Sequence, residues 1–426
     1  MASTGHWTSD ATWQDTVASL RSLPGGLRYA ELCGGIGAPT FAIKALGIQA
    51  QLIGHWDTDQ RYMKFLHKFN GDRENIFLGE QGDVLTIDRS LLATCHCIVS
   101  GPPCPPWSNI GLRQGGDDIR SSVFWAVCDH IINAAKYGVL MFFILENVPS
   151  LDHRNSRDDC VETQATRLAN YLQEGLGPGW AMDKTVMNTS DYGLPQRRKR
   201  LYIAGRRMAR YPSGPPRPCP LFRQPANARD ILDMSANDTP PGRFTPTQLA
   251  NINDHKRVHR AVMITDTYRG KFAFVDHSRS PTDRTRWGSG GRRVHVDVCE
   301  TLTASGPAIY VFSLGEGMGH GCLFSTRALT VDRELFGHER GALQGFPPEA
   351  CRFFGPHLIG KRAFGNAMSV PVVGMVIARE LSALLEQHGS AALQKIFESG
   401  PSHRSVCCAP CVLLDESDVE PDMVPK

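Results

Sequence analysis

Short apolar runs alternate with helix-length amphipathic stretches between residues 27 and 207. This alternation is typical of a parallel β-sheet whose two faces are covered by helices. The strand candidates are residues 27–32, 50–55, 97–100, 139–145 and 201–204. Pro39 suits a first helical turn, and the apolar positions from Val123 to Ala134 recur at helical spacing. The pattern therefore predicts an α/β sandwich over this part of the chain.

The pattern changes after Arg210, where prolines crowd residues 212–225 and exclude a continuing helix or a central strand. Residues 226–350 show no strand–helix alternation and carry many turn residues, with one short extended candidate at 308–314. Residues 369–388 then form one strong amphipathic helix, which needs a large apolar face to lie against. We therefore expect the chain to leave the sheet domain and to return to it.

These changes divide the chain into five predicted segments. They are a loosely held arm (1–26), the first part of the sheet domain (27–211), a smaller and mostly irregular or β domain (212–356), a helical segment that completes the sheet domain (357–400) and a disordered acidic tail (401–426). No internal repeat interrupts this organisation.

Composition narrows the class of protein. With 426 residues, 41% of them hydrophobic, the chain can bury a sizeable core, which excludes a wholly disordered or fibrous protein. Its longest apolar run, 139–145, is too short to span a membrane, and the first thirty residues lack a signal-peptide pattern. Thirteen cysteines without a repeating spacing indicate reduced thiols. We expect a protein that is not secreted, in the nucleus of a eukaryote or the cytoplasm of a bacterium.

A glycine-rich segment, Glu31-Leu-Cys-Gly-Gly-Ile-Gly37, follows the first strand and opens the first helix, so a ligand could approach its backbone. Thr40 stands where a dinucleotide fingerprint needs its third glycine, and a tight turn without a ligand is the alternative. Asp57 follows the second strand, where a carboxylate can bind both hydroxyls of a ribose. Asp83, in Gly82-Asp83-Val84, could face an adenine amino group. Each carboxylate alone is more often a helix cap, but together they predict an adenosine-containing cofactor.

The segment from Ser100 to Ser108 places four prolines around Cys104 at the carboxyl end of a buried strand. Open α/β sheets bind their ligands at that edge. A buried structural thiol in a proline turn is the alternative. Because prolines fix the backbone so firmly, we favour a cysteine that takes part in chemistry.

Charged residues border two later apolar strands, at the end of the first and before the second. Glu146 ends the run Phe142-Phe-Ile-Leu, where a protonated carboxyl could donate to a ring nitrogen, although a helix-capping role is the alternative. In the run Gln196-Arg-Arg-Lys-Arg200, strand alternation puts Arg198 and Arg200 on one face, opposite Arg197 and Lys199. Since the apolar continuation Leu-Tyr-Ile indicates one covered face, we expect two guanidinium groups to point into a site.

These segments, in this order, resemble the cytosine-C5 DNA methyltransferase family, and the resemblance covers most of the chain. The motifs that carry it are the 31–37 turn, the acid after strand two, Gly82-Asp83-Val84, Pro103-Cys104, Glu146-Asn147-Val148, Gln196 with Arg198 and Arg200, the stretch from Arg327 through Arg333-Glu334 to Gly345-Phe-Pro347, and Gly365-Asn366. The run from Leu46 to Asp57 is most similar to animal de novo DNA methyltransferases. The glycine-asparagine motif is more like that of the bacterial enzymes.

The resemblance implies a Rossmann-like S-adenosylmethionine-dependent methyltransferase sheet, with residues 212–356 as the target-recognition domain. It implies that Cys104 attacks cytosine C6, that Glu146 bonds the N3 edge, and that Arg198 and Arg200 hold O2. The residues that it implies for binding S-adenosyl-L-methionine are Cys33, Gly34, Gly35, Ile36, Gly37, Asp57, Thr58, Asp83, Val84, Asn366 and Ala367.

Three residues depart from the family pattern. Cys33 replaces a phenylalanine that would pack against the cofactor, and Pro105 replaces a glutamine after the nucleophile. His55 stands beside Trp56 where an acid is usual. Asp57 is therefore the implied ribose ligand only under the alignment with the de novo enzymes.

A basic stretch indicates the partner. Between His255 and Arg293, ten basic residues face three acids, with four aromatic residues interleaved, which favours a nucleic-acid surface over a solvated basic face. The family implies double-stranded DNA, with the target base swung out of the stack. The Cys-Phe-Thr signature of the related transfer-RNA enzymes is absent, so RNA is the less favoured substrate.

Three other functions compete with this interpretation. They are a transfer-RNA cytosine-C5 methyltransferase, a catalytically silent regulatory relative, and a nicotinamide-dependent dehydrogenase, which the incomplete glycine fingerprint disfavours. Cys408 and Cys411, with Cys407 and His403 nearby, make only a weak zinc motif, so we expect no metal. We also expect no membrane association, and the pattern favours no particular oligomeric state.

Overall fold

The computed structural model describes residues 7–8, 13–23, 26–70, 73–103, 121–153, 162–208, 219, 227–234, 244–262, 271–276, 295–302, 309–314, 331–354 and 358–398. Several predicted features lie outside these residues. They are Cys104, most of the proline-rich stretch, the basic residues from 277 to 293, the cysteines near position 408 and the acidic tail.

The described strands are β1 (Leu27–Leu32), β2 (Ala50–Asp57), β3 (Ile76–Leu78), β4 (Cys97–Ser100), β5 (Phe142–Asn147), β6 (Trp180–Asn188), β7 (Gln196–Arg197), β8 (Lys199–Arg207), β9 (Phe272–Asp276), β10 (His295–Val296), β11 (Cys299–Glu300), β12 (Ile309–Ser313) and β13 (Asp332–Glu334). The described helices are α1 (Gln14–Arg21), α2 (Ala38–Leu46), α3 (Met63–Phe69), α4 (Arg89–Leu92), α5 (Ser121–Tyr137), α6 (Gln164–Leu176), α7 (Ala228–Ile231), α8 (Pro246–Val262), α9 (Gly337–Leu343), α10 (Pro348–Phe353), α11 (Leu358–Asn366), α12 (Val370–His388) and α13 (Ser390–Glu398).

The largest sheet has seven strands in the order β3-β2-β1-β4-β5-β8-β6. The predicted parallel pairing is confirmed for β1 with β2 and β4, and for β4 with β5. For β8 it is wrong, because β8 runs antiparallel to both β5 and β6. Only ten residues separate β6 from β8, too few for the helical crossover that a parallel neighbour would need.

The sequence predicted most of the sheet strands but missed two, the short β3 and the edge strand β6. Two predicted strands, β1 and β4, have the expected bounds, whereas β2 extends to Asp57 and β5 begins at Phe142. Strand β6 was not predicted, because its middle residues are half-buried or exposed at the edge of the sheet and include Asp183 and Lys184. Such an edge strand lacks the continuous apolar pattern of a buried one.

Apolar clusters on the two faces hold the helices against the sheet. On one face, α2, α3 and α12 pack in a cluster that includes Phe41, Phe65 and Val373. On the other face, α5 and α6 contribute Val127 and Leu168 to a second cluster. The predicted helix over 369–388 is therefore confirmed as a cover of the sheet domain, with Ser369 as its N-cap residue.

The first segment of the chain corrects an expectation. Residues 1–26 were predicted to be a loosely held arm, but Trp7 and Trp13 are each 4% exposed and α1 packs in the same cluster as α12. A Cβ at Gly374 of α12 would lie 2.3 Å from Cη2 of Trp7, so the glycine makes room for the indole. The segment is mostly polar, so its composition did not indicate that two of its tryptophans pack in the same cluster as α12.

A second, smaller sheet lies in the region predicted to be irregular or β. It has four antiparallel strands in the order β10-β9-β12-β13, and β12 occupies the predicted extended segment. Helix α8, which was not predicted, contributes Ile252 to the cluster formed with Val275 and Phe312. A short parallel ladder of β7 with β11 connects this region to the main sheet.

Within the described residues, the stretch Ile359–His388 is long and apolar enough to cross a membrane by composition. Of its most apolar window, 83% is buried inside the protein. The core position of α12 accounts for this hydropathy.

Candidate active site

The strands β1, β2, β4 and β5 are parallel, so their carboxyl ends meet at one edge of the sheet. Most of the described candidate residues follow these ends or lie beside them. Ligands of open α/β sheets bind at such an edge, outside the ends of the strands.

The glycine turn after β1 is shaped by backbone conformations that favour glycine. Gly35 and Gly37 have φ of 59° and 76°, and Cys33 adopts a φ of 52°, which is unusual for a residue with a side chain. A Cβ at Gly35 would meet no atom within 4 Å, so this side of the turn faces open space. The turn therefore leaves room for a ligand to approach its backbone.

A buried acid–imidazole pair, Glu31 and His55, packs against the glycine turn. Glu31 and His55 are both 0% exposed, and Oε2 of Glu31 lies 2.9 Å from Nδ1 of His55. The other carboxylate oxygen of Glu31 accepts from the backbone N–H and the hydroxyl of Thr40 in α2. A Cβ at Gly34 would lie 2.4 Å from Cε1 of His55, so only glycine fits there. His55 is thus part of the support of the turn.

Asp57 connects the end of β2 to this turn. Its Oδ2 accepts from the backbone N–H of Gly35 at 2.8 Å, and its Oδ1 accepts from that of Asp59 at 2.8 Å. Beside it, Thr58 is exposed at the rim. Burial raises the pKa of the Cys33 thiol, and the nearby charges of Asp57 and Asp83 raise it further. The two predicted cofactor carboxylates therefore lie close enough to Cys33 to act on the same thiol.

The segment at Asp83 and Val84 is held by a residue that sequence reasoning missed. The side chain of Asp83 accepts from the backbone N–H of Leu85, and Val84 is buried. Nε2 of His130, in α5, donates to the carbonyl of Val84 at 2.7 Å. Burial lowers the pKa of His130, which favours the neutral ring with its proton on Nε2. In the sequence, His130 is one of several polar positions on an amphipathic helix.

Trp56, which precedes Asp57 in β2, packs in an apolar cluster of the sheet domain. Its ring stacks on Phe77 with centroids 4.9 Å apart, and only 2% of the tryptophan is exposed. The stack makes a flat apolar wall between the ends of β2 and β3.

Gly101, just after β4, marks the place where the glycine turn and the Glu146 side chain approach each other. A Cβ at this position would lie 3.7 Å from Oε2 of Glu146, 3.8 Å from the carbonyl oxygen of Cys33 and 2.8 Å from Cε of Met368. Three segments that are distant in sequence therefore approach one point of the backbone.

Glu146 and Arg200 form an ion pair at this point. Nε of Arg200 lies 3.0 Å from Oε1 of Glu146, and the two side chains are 14% and 10% exposed. The antiparallel register pairs Glu146 with Tyr202, which brings Arg200 to the end of β5. Glu146 is thus a paired acid at the rim of the site and does not cap a helix.

Arg198 has a different environment. The predicted alternation is confirmed, since Arg198 is buried and Arg200 half-buried, whereas Arg197 and Lys199 are exposed. However, the guanidinium of Arg198 donates to the carbonyls of Leu302, Gly365 and Ala367, and the residue is 2% exposed. This placement contradicts the prediction that Arg198 holds the base.

The two remaining candidate residues flank this contact. Asn366 is exposed at the end of α11, and Ala367 is buried with its carbonyl bonded to Arg198. Cys104 lies outside the described residues, but the loop that leads to it is held at its start. Nδ2 of Asn147 donates to the carbonyl of Pro102 at 3.0 Å, so the Glu146 strand fixes the backbone two residues before Cys104.

Comparison with known proteins gives similar results for sequence and fold. An orphan methyltransferase, M.SPRI of Bacillus phage SPR, is 30% identical over 183 residues, which are 42% of this chain and 38% of the phage protein. The chain thus matches less than half the length of this relative. The type II methyltransferase M.HaeII of Haemophilus aegyptius is 24% identical over 371 residues, 87% of this chain and 96% of that protein.

A solved structure shares the fold. The methyltransferase EhMeth of Entamoeba histolytica superimposes with a TM-score of 0.53 at 15% identity, over 85% of this chain and 99% of that one. The family model of the C-5 cytosine-specific DNA methylases matches residues 27–382, a span that contains the glycine turn, Glu146 and Arg200. Because this match covers most of the chain, the protein belongs to the C-5 cytosine-specific DNA methylase family.

Proposed function

We propose that this protein transfers a methyl group from S-adenosyl-L-methionine to C5 of cytosine in double-stranded DNA. The observation that carries the proposal is the convergence at Gly101, where the cofactor turn and the Glu146 carboxylate both come within 4 Å of the point that a Cβ would occupy. Cys104 follows three residues later in the sequence. A methyl donor, an acid and a nucleophile are the three groups that the reaction needs in one place.

The described residues fit an adenosine-containing sulfonium cofactor. The open side of Gly35 lets a ligand approach the turn, and Asp57 retains acceptor capacity for ribose hydroxyls beyond its two backbone contacts. The Trp56–Phe77 stack offers an apolar wall for a purine, and Asp83 supplies an acceptor for its amino group. When bound, the cofactor supplies an electrophilic methyl group.

Cys104 supplies the nucleophile in the proposed mechanism. Cytosine C5 is a poor nucleophile, so the thiolate of Cys104 adds to C6 and pushes electrons toward C5. Glu146 bonds the N3 edge and relieves the charge that develops on the ring, while Arg200 holds Glu146 and lies beside the base at O2. After C5 has accepted the methyl group, a base or water removes the C5 proton. The C6–S bond then breaks, and the thiolate returns.

The DNA must present the target cytosine outside the stack, because a ring carbon inside a duplex is inaccessible. The basic stretch near residue 256 supports DNA binding by the recognition domain. Of its described members, Lys256 is ion-paired with Asp332 at 2.6 Å, and Arg257, whose side chain is 78% exposed, is ion-paired with Asp254 at 3.2 Å. Phosphate contacts release counterions, so we expect the affinity for DNA to fall steeply with salt, and a flat response would contradict this surface.

Labelled cofactor distinguishes the substrates. The protein is incubated with S-adenosylmethionine carrying a labelled methyl group and with either duplex DNA or small RNA. We expect label in the DNA as 5-methylcytosine. Label only in RNA would replace DNA by RNA as the substrate, and label in neither would favour the silent-relative alternative.

Trapping tests the covalent step. Duplex DNA that contains 5-fluorocytosine cannot lose its C5 substituent as a proton, so the adduct should persist after methyl transfer. The duplex must carry the recognised sequence, which sequencing of methylated DNA from an expression host identifies. Mass spectrometry of the active protein should locate the bond on Cys104, and an adduct on another residue would overturn the mechanism.

A further inference from the structure

The buried side chain of Arg198 joins two parts of the molecule that are far apart in sequence. Nη1 donates to the carbonyl of Leu302 at 2.7 Å and to that of Gly365 at 3.2 Å. Nη2 donates to the carbonyl of Ala367 at 2.8 Å. These partners are 104 to 169 residues away along the chain. One guanidinium therefore holds together two segments that have no local reason to be close.

The first of these segments belongs to the recognition domain. Leu302 follows β11, whose Cys299 pairs with Gln196 just before Arg198. The Leu302 side chain is 2% exposed and packs in the same apolar cluster as Phe272 and Val311 of the small sheet. A displacement of that sheet would therefore move the Leu302 carbonyl.

The second segment borders the cofactor site. Gly365 and Ala367 flank Asn366, one of the residues that the family resemblance implies for cofactor binding. The next residue, Met368, reaches to 2.8 Å from the Cβ position at Gly101, where the cofactor turn and the catalytic acid meet. A displacement of the 365–367 backbone would therefore shift Met368, which lies beside Gly101 at the proposed reaction site.

The geometry makes this junction rigid. The guanidinium is a planar fork of donors, and its hydrogen bonds weaken steeply once the distance or angle departs from a narrow range. Because Arg198 is 2% exposed, water has little access to replace a lost contact. The backbone of Arg198 is itself anchored, since its carbonyl accepts from the N–H of Thr189 at 3.0 Å. The two segments are thus held at one fixed separation.

We propose that Arg198 is a positioning residue that couples DNA binding by the recognition domain to cofactor binding. This inference rests on the proposed function, because it needs both ligands. DNA that draws the recognition domain into one arrangement fixes the Leu302 carbonyl, and through Arg198 it fixes the 365–367 segment beside the cofactor. By linkage, the cofactor tightens DNA binding by the same factor.

The test measures this coupling factor at equilibrium. Calorimetry gives the Kd of S-adenosylhomocysteine, the demethylated cofactor, with and without sheared genomic DNA from a host that lacks cytosine methylation. The ratio of the two values is the coupling factor. We expect about 5 to 100 for the unaltered protein, the usual range for coupled sites. For Arg198→Lys we expect about 1, because a single ammonium group cannot span three carbonyls.

Arg206→Lys is the matched control. Arg206 lies in β8, the strand that begins just after Arg198, is also 2% exposed and faces Glu380 of α12 at 3.6 Å, away from both segments. Both variants should lower the melting temperature, but the control should keep the coupling factor of the unaltered protein. A factor that is unchanged in Arg198→Lys, or lost equally in both variants, would overturn the proposal.

Hydrogen exchange in the unaltered protein gives a second readout, which stands even if Arg198→Lys fails to fold. Addition of DNA alone should slow amide exchange in the peptide that covers residues 365–368, and no change there would contradict the coupling. Failure of the proposed function looks different, since the unaltered protein would then bind neither S-adenosylhomocysteine nor DNA. Binding of both with a factor of 1 would overturn only the role of Arg198.

Discussion

On the cofactor side of the sheet edge, backbone groups make many of the polar contacts, whereas on the catalytic side charged side chains make them. The turn after β1 is fixed by the N–H of Gly34 on the carbonyl of Trp56 and by the N–H of Gly35 on Asp57. On the catalytic side, Glu146 is paired with Arg200 across two antiparallel strands. The contacts of the turn after β1 thus involve the backbone of the turn itself, whereas the contact of Glu146 with Arg200 joins two side chains.

This difference predicts two kinds of mutant. Changes on the cofactor side should raise the KM for S-adenosylmethionine and alter kcat little, because they affect a binding surface. Changes on the catalytic side should lower kcat and leave that KM nearly constant, because they remove contacts that matter in the transition state.

The largest effect should come from Cys104→Ala. It removes the nucleophile, so turnover should disappear, while the melting temperature and the binding of S-adenosylhomocysteine remain those of the unaltered protein. Methyl transfer to duplex DNA and thermal unfolding measure the two outcomes. Cys219→Ala, which changes a half-buried thiol near Met375, is the control and should stay active. Full activity of Cys104→Ala would end the proposed mechanism.

Glu146→Gln should come next. The amide cannot carry the negative charge that pairs with Arg200, nor share a proton with the N3 edge, so kcat should fall by roughly two to four orders of magnitude. The KM for S-adenosylmethionine should change by less than about threefold. Steady-state kinetics at saturating DNA separate the two constants. Glu162→Gln, on an exposed acid before α6, serves as the control. A large rise in KM with an unchanged kcat would show that Glu146 contributes to cofactor binding and not to the chemical step.

Asp57→Asn tests the cofactor side. The variant keeps the size of the side chain but loses the charge that Gly35 and the ribose hydroxyls contact, and a hydrogen bond to a charged group contributes about 1.5 to 3 kcal/mol. The KM for S-adenosylmethionine should therefore rise about 10- to 100-fold with little change in kcat. Asp59→Asn, two residues further on and bonded to the exposed Arg61, is the matched control. If both variants bind cofactor normally, Asp57 is not the ribose ligand.

The smallest effect should come from His130→Phe. The ring loses the donor that holds the Val84 carbonyl, a neutral hydrogen bond that contributes about 0.5 to 1.5 kcal/mol. We expect the KM for S-adenosylmethionine to rise by about two- to tenfold, as seen by kinetics or by direct binding of S-adenosylhomocysteine. His67→Phe, in α3, should have no such effect. A fall in kcat at constant KM would contradict this prediction, because His130 would then affect the chemical step and not cofactor binding.

Local patterns were sufficient for the cofactor side. An apolar strand followed by a glycine turn and a first-turn proline fixed the bounds of β1 and placed α2, since turn chemistry and strand length act over a few residues. The same local rules placed Asp57 at the end of a strand. They did not reveal His130, which acts from a helix that begins 38 residues after Asp83.

Long-range pairing decided the catalytic side. The alternation of β8 correctly put Arg198 and Arg200 on the same face, but a period of two residues says nothing about what lies opposite that face. The antiparallel register with β5 places Arg200 beside Glu146. Residues 302 and 365–367 pack next to Arg198, so that three of their carbonyls accept its hydrogen bonds. In the same way, only packing against α12 shows that Trp7 and Trp13 belong to the core.

The sequence by itself thus determined the family, the positions of most sheet strands along the chain and the residue types gathered at the edge, because these depend on periodicity and on short motifs. The tertiary structure alone decided which of two arginines in one motif pairs with Glu146 and which one bonds the carbonyls of Leu302, Gly365 and Ala367. The physical reason is that a guanidinium takes its role from the acceptors around it, and those acceptors come from distant segments, β5 for Arg200 and residues 302 and 365–367 for Arg198.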